Sequence, residues 1–205
     1  AGLNVKYIIN EPTAAALYYA FKKGEELLGN YAVYDLGGGT FDISIIHVAN
    51  QDVEVLSTNG VSKLGGDDFD EALRNLICKR FKEKTGKNLS KEDFTKNQAE
   101  EEKKALSKRD RSIVNVSCPS GRANIKITRN EFEESISSLI AQTEMLCESA
   151  MDEAEVSPSD LQGVFLVGGS TRIPCVRESI LRIFKKEPIS TANVDEVVAL
   201  GAALY

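Results

Sequence analysis

The spacing of apolar positions changes several times along the chain, and each change marks an element. Glu11-Pro12-Thr13 precedes Ala14-Ala15-Ala16-Leu17-Tyr18. Proline suits a first helical turn and alanine is the best helix former, so a helix is expected from Glu11 to near Gly24. From Tyr31 the period shortens to that of strands. Residues 31–36, 41–48 and 53–58 are β-rich runs separated by turn residues, which predicts three antiparallel strands with Gly37-Gly38-Gly39 in the first connection. After Gly65-Gly66-Asp67-Asp68, the spacing Phe69, Leu73, Leu76, Ile77, Phe81 gives one apolar helix face, stopped by Gly86. Ser90 with Asp93 has the form of a capping box and opens a more charged helix reaching about Leu106.

Residues 113–118 and 124–128 flank Pro119-Ser120-Gly121 as a hairpin. Thr128 and Glu131 form another capping box, opening a helix whose Phe132, Ile136, Leu139, Ile140, Leu146 stripe continues towards Glu155. At 1.5 Å per residue it would span roughly 40 Å, enough to tie two subdomains together. The apolar run 164–167 leads straight into Gly168-Gly169-Ser170-Thr171-Arg172, with Pro174 in the first turn of the next helix, and Asn193 with Glu196 frames a last helix start. The pattern is α/β, with a middle stretch inserted into a core built from both ends. The expected division is 1–63 with 137–205 as the core, and 64–136 as an inserted α+β subdomain.

Composition narrows the classes. With 205 residues, 42% of them hydrophobic, the chain can bury a sizeable core, and no apolar stretch approaches membrane-spanning length. Its net charge of −6, with both signs interspersed, offers no basic stripe for nucleic acid. Cys78, Cys118, Cys147 and Cys175 form no C-x-x-C pair and His47 is the only histidine, so neither zinc nor a disulfide framework is indicated and a reduced, cytoplasmic compartment is expected. The opening without methionine and the uncapped apolar end suggest a piece of something longer.

Chemistry concentrates in a few places. In Asp35-Leu36-Gly37-Gly38-Gly39-Thr40-Phe41-Asp42, glycines let backbone N–H groups turn towards an anion while two carboxylates flank the same turn, as a phosphate with magnesium requires. A tight hairpin with Asp35 as a turn residue fits equally, and strand alternation leaves Asp42 free to face water. Gly168-Gly169-Ser170-Thr171 is a second glycine turn, from strand to helix, where N–H groups and the helix dipole favour negative charge, although ordinary strand–helix turns look the same. Neither loop has the Walker pattern, and no G-x-G-x-x-G occurs. Glu100, Lys103, Lys104 and Ser107 share one helix face within reach of a ribose and a base edge, or else form a solvated face. Cys175, beside Pro174 at a helix N-terminus, is a candidate for a lowered thiol pKa, an inert cysteine being the commoner outcome.

Taken together, Ile8-Ile9-Asn10-Glu11-Pro12-Thr13-Ala14-Ala15-Ala16, the segment from Asp35 to Asp42, Leu64-Gly65-Gly66-Asp67-Asp68-Phe69-Asp70, Val167-Gly168-Gly169-Ser170-Thr171-Arg172-Ile173-Pro174 and Gly201-Ala202-Ala203 closely resemble the 70-kilodalton heat-shock chaperone, or DnaK, family. The match runs the whole chain in order. It implies an actin-like (ribonuclease H-like) ATPase domain of two lobes, of which this chain is the second, lacking the first lobe and the downstream peptide-binding domain. The resemblance further implies ATP/ADP and Mg²⁺ as cofactors. Gly38, Gly39 and Thr40 would contact the outer phosphates, with Thr40 and Asp42 placing the attacking water. Asp35 and Glu11 would hold waters of the magnesium shell. Gly169, Ser170 and Arg172 would bind around the inner phosphate and adenine, and Glu100, Lys103 and Ser107 would contact ribose and base; Gly66, Lys104 and Gly168 would also belong to the nucleotide site, and Asp195 marks the last nucleotide-side helix start.

Two positions depart from the family pattern. Lys104 stands where many eukaryotic members have an arginine stacked on adenine, and an ammonium lacks that planar group. Val194 replaces a usual proline. The short hairpin looks more bacterial, resembling the iron–sulfur-assembly (HscA-like) branch as well as general DnaK. In the parent protein, the implied partners are a J-domain co-chaperone, a nucleotide-exchange factor and unfolded peptide. The isolated chain is expected to be nearly inactive. An alternative is a non-hydrolysing regulatory relative that binds nucleotide or partner without catalysis.

Overall fold

A computed structural model describes residues 7–23, 27–49, 52–190 and 193–205. A five-stranded sheet organises the chain, in the order β3-β2-β1-β6-β7, where β1 is Gly29–Leu36, β2 Phe41–Ala49, β3 Asp52–Val61, β6 Leu161–Val167 and β7 Pro188–Ile189. The first three strands form the expected antiparallel meander, whereas β6 and β7 add parallel to β1. Parallel addition requires a long crossover, and residues 62–160 supply it.

Strand alternation sorts the side chains to two faces. Ala32, Tyr34, Leu36, Ile43, Ile45, Val164 and Leu166 are buried in one cluster with α5 (Ser137–Glu153) and α6 (Pro174–Phe184). Tyr31, Val33, Ile46, Val48, Phe165 and Val167 are buried in another with α1 (Glu11–Lys23) and α7 (Val197–Leu204). Neighbours Ile45 and Ile46 lie in different clusters by the same alternation, and the β2–β3 register shifts between them. Phe165 is stacked between two tyrosines, its ring centroid 4.4 Å from Tyr19 and 4.8 Å from Tyr31, and the Tyr19 hydroxyl donates to the Leu166 carbonyl at 2.7 Å. The α1 end expected near Gly24 lies outside the described residues.

The crossover carries α2 (Gly66–Thr85), α3 (Lys96–Leu106), a separate hairpin of β4 (Arg111–Cys118) and β5 (Gly121–Thr128), and α4 (Arg129–Ser135). The α2 stripe is as spaced in the sequence, with Phe69, Leu73, Ile77 and Phe81 fully buried and Gly86 left-handed at φ 72°. Three expectations need correction. The α3 helix starts five residues later than Ser90: Ser90 Oγ does accept from Asp93 N, but within a turn that buries Phe94, and the true cap is Thr95 paired reciprocally with Gln98. The hairpin turn is only Pro119-Ser120, with Gly121 inside β5, paired to Cys118.

The third correction concerns the long helix, which is two helices. Thr128 and Glu131 cap α4 as expected, yet the run breaks at Ile136, with φ −106° and ψ 3°. Ser135 and Ser137 hydroxyls donate to the carbonyls of Phe132 and Glu134, at 2.6 and 2.8 Å, competing with the helical ladder, while Ile136 is fully buried. The remaining 17-residue α5 spans about 25 Å and ends at Glu153. Asn193 and Glu196 likewise form a turn, Asn193 Nδ2 donating to Glu196 Oε2 at 2.9 Å, and α7 starts at Val197.

The first and last helices meet at a glycine. A Cβ on Gly201 would lie 1.8 Å from the Ala14 carbonyl oxygen, so only glycine lets the two backbones approach this closely. Gly201→Ala is therefore expected to destabilise the chain by roughly 1–3 kcal/mol, read as a lower urea midpoint with unchanged m-value.

Candidate functional site

Because β1 and β6 are parallel neighbours, with Asp35 opposite Val167, the loops that follow them leave the same edge of the sheet side by side. Their contact is made of glycines. Gly168 has φ 86°, and a Cβ there would lie 2.3 Å from the Leu36 carbonyl oxygen; one on Gly65 would lie 2.6 Å from that of Gly38. Backbone hydrogen bonds then join the segments: Gly66 N and Ser170 Oγ donate to Gly37 O at 3.0 and 2.9 Å, and Asp67 N to Gly38 O at 2.6 Å. The first amides of α2, which would otherwise invite an anion, are thus occupied in holding the 37–40 loop.

Gly38 and Gly39 differ from these packing glycines. Neither has positive φ, both are exposed, and an added Cβ at either meets nothing within 4 Å. Neither backbone conformation nor internal packing calls for glycine there. What the pair provides is bare, open backbone, the surface that a bulky anion can approach most closely.

One side of this loop opens into a cleft of about 570 Å³. Gly37, Gly38 and Gly66 form its floor; Glu100, Lys103, Lys104 and Ser107 of α3 form one wall, and Gly169, Ser170, Arg172 and Asp195 the other. These eleven residues, all singled out in the sequence, therefore meet in one concavity. The α3 face is not a uniformly solvated one. Lys103 is only 8% exposed, with its Nζ 2.8 Å from Asp70 Oδ1 and donating to the Gly66 carbonyl at 2.9 Å, which ties α3 to the start of α2. Lys104 is exposed, between Glu100 and Glu101 at 3.0 Å each. Arg172 pairs with Asp195 at 2.8 Å on the opposite wall. Asp67, Asp70, Lys108 and Ile173 also line the cleft. Asp67, Asp70 and Ile173 stand in the motif blocks without an assigned role and Lys108 in none, since the place of Asp67, Asp70 and Lys108 depends on how α2 and α3 cross.

The remaining candidates lie on the other side of the loop. Thr40 and Asp42 line a second hollow of about 450 Å³ with Thr58, Asn59, Gly60, Val61 and Ser62. Asp42 is exposed while Phe41 and Ile43 are buried, as alternation predicts. Gly168 stays with the loop contact, and Glu11 is exposed at the first residue of α1. Asp35 and Asp42 stand directly opposite in the β1–β2 register, a like-charge pair that costs stability. Burial, then the negative charges of Glu11 and Asp42, push the Asp35 carboxyl up from 3.8 to about 6. Burial also raises Asp42. Asp35 thus lies under the negative charges of both Glu11 and Asp42. Among the described residues no His, Cys, Asp and Glu cluster is arranged to ligate a metal directly. The three fit a cation held at one remove, through water.

One other candidate is settled, and the lone histidine is placed. Cys175 is no activated thiol: burial, then Glu133 and Glu178, push it up to about 12, and the amide at its helix start already donates to Glu133 Oε1 at 3.3 Å. His47 lies within β2, Nδ1 2.7 Å from Asn30 Oδ1 of the facing strand residue.

A carboxyl whose pKa rises on folding binds its proton more tightly in the folded chain. Its contribution therefore turns unfavourable as pH climbs from about 4 towards 6, and stays so above. Asp35→Asn should then melt about 2–4 °C higher than the parent at pH 7.5, with the gap closing at pH 4. Calorimetric scans at the two pH values check this; a variant that melts lower at pH 7.5 would contradict the electrostatic account.

The sheet, the paired glycine loops and the cleft between them also agree with a comparison made on sequence alone. A family model described as "Hsp70 protein" matches residues 1–205. The family binds nucleotide, and its α/β ATPase fold is actin-like. As the match spans the entire sequence, the chain belongs to the Hsp70 family of chaperone ATPases.

Proposed function

We propose that this chain is the second, nucleotide-gripping lobe of a DnaK-type ATPase domain, with 1–63 and 137–205 as its core and 64–136 as an inserted subdomain. The observation that carries the proposal is the pair Gly38-Gly39. It is open backbone with no internal reason to be glycine, set between a cleft of nucleoside size and a cluster of mutually repelling carboxylates.

In this arrangement the nucleoside lies in the cleft. Ribose and base edge face Glu100, Lys103, Lys104 and Ser107, and Gly169, Ser170, Arg172 and Asp195 close the adenine side. Lys103 is held by Asp70, so its charge is fixed in position before a ligand arrives. The phosphates pass over Gly38 and Gly39 towards Thr40. Asp35 and Glu11 hold the water shell of a magnesium ion, which supplies positive charge to the phosphates. Asp42 and Thr40 orient the attacking water. Phosphoryl transfer relies on positioning and charge neutralisation, which suits a site made of backbone amides and carboxylates rather than of a nucleophilic side chain.

In the full protein, hydrolysis between two lobes would switch the grip of a downstream domain on unfolded peptide, with J-domain and nucleotide-exchange partners. Loss of one preorganised active-site group costs about 10²–10³ in rate, so this lobe alone should turn over negligibly. Among the described residues no helix is long and apolar enough to cross a membrane.

Calorimetric titration with magnesium–ADP tests the assignment. Gly39→Val should leave the melting temperature within about 2 °C of the parent, because the added side chain meets open space, yet weaken ADP at least about tenfold. Arg172→Ala should weaken ADP while leaving inorganic phosphate unaffected. Undiminished ADP affinity in Gly39→Val would remove the phosphate path from this loop.

A further inference from the structure

Gly60 is a glycine within an edge strand, where glycine is disfavoured because it has no side chain to pack and more freedom to lose. Its φ is not positive, so an L-residue fits its backbone conformation. The space it leaves is used instead. A Cβ at this position would lie 2.6 Å from Asp42 Oδ1, 2.7 Å from the Phe41 carbonyl oxygen and 3.3 Å from Asp42 Cα.

The register explains why. Asp35, Asp42 and Gly60 are successive cross-strand partners on β1, β2 and β3, so their side-chain directions share one face of the sheet. Asp42 therefore has a carboxylate on one side and an empty place on the other, and its own carboxylate leans over the empty place. We propose that Gly60 is a positioning residue for Asp42: the missing side chain opens the lane into which the Asp42 carboxylate swings away from Asp35. It thereby fixes where that carboxylate meets the attacking water. This rests on the role given to Asp42 above.

A methyl group at Gly60 presses on the Phe41 carbonyl as well as on the Asp42 carboxylate, so it shifts β2 locally and drives the carboxylate back towards Asp35, misplacing it by about the ångström that costs some 10²-fold in rate when a reacting group is shifted. The test is a double-mutant cycle of Gly60→Ala and Asp42→Asn in the full two-lobed protein, read by single-turnover ATP hydrolysis and magnesium–ADP affinity, together with a crystal structure of the Gly60→Ala chain. Gly60→Ala should slow hydrolysis about 10- to 100-fold with ADP affinity within about twofold, add no further loss in the Asp42→Asn background, and show the Asp42 carboxylate displaced. A merely structural role would give losses that multiply. Parent-like hydrolysis in Gly60→Ala, or multiplying losses, overturns the inference while leaving the Asp42 assignment standing. Undiminished hydrolysis in Asp42→Asn alone overturns both.

Discussion

Close approach of backbone to backbone at glycine is the constraint on which the rest of this structure depends. The 37–40 loop has no hydrophobic side chain to anchor it. It is held because Gly65 and Gly168 allow the α2 start and the post-β6 turn to come within hydrogen-bond reach of it, and because Gly66 N, Asp67 N and Ser170 Oγ then satisfy its carbonyls. A side chain at either packing glycine would meet backbone, which cannot rotate aside. The cleft walls inherit their positions from this junction, since α3 is tied to it through Lys103 and the Asp195 turn through Gly168 N, which donates to Val194 O at 3.0 Å.

On top of that rigid support lies a deliberate tension. The sheet brings Asp35 and Asp42 face to face and α1 brings Glu11 near, so the folded chain carries charge repulsion that a purely structural site would avoid. Either a proton on Asp35 or a positive charge brought close to it would relieve the repulsion. Under the proposed magnesium site, stability and ligand binding are opposed at Asp35, whereas the glycine junction serves both.

Much of this could be read from the sequence, for local reasons. The meander, the α2 stripe with Gly86 and the Thr128–Glu131 cap each depend on residues a few positions apart, and each is found. Elements decided by competition were less legible. Ser90 and Asp93 satisfy a capping pattern, but Thr95 and Gln98 satisfy it too, and burial of Phe94 selects the second. Ile136 continues an apolar stripe, yet the flanking serines and its own complete burial turn the chain there. For the site, the glycine loops carried a recognisable signature, while the contact of Asp70 with Lys103 and the space beside Gly60 did not, because both arise only where separate elements meet. Cys175 shows a local signal outweighed: its helix start allowed reactivity, but burial, then the neighbouring Glu133 and Glu178, raise the thiol and leave the inert cysteine that was the commoner expectation.

The pairing of β1 with β6 has a consequence for the order of folding. Ser170 and the carbonyl it grips at Gly37 are 133 positions apart, and the intervening chain includes a hairpin and four helices that form from near neighbours. Long loops close late, since their entropy is lost before distant contacts compensate. The meander can therefore exist before the junction does. A nascent or partly unfolded chain would present the 37–40 loop without its supports, so under the proposed phosphate path competence to bind would arise only with the final closure, and ligand binding would report completion of folding rather than its progress.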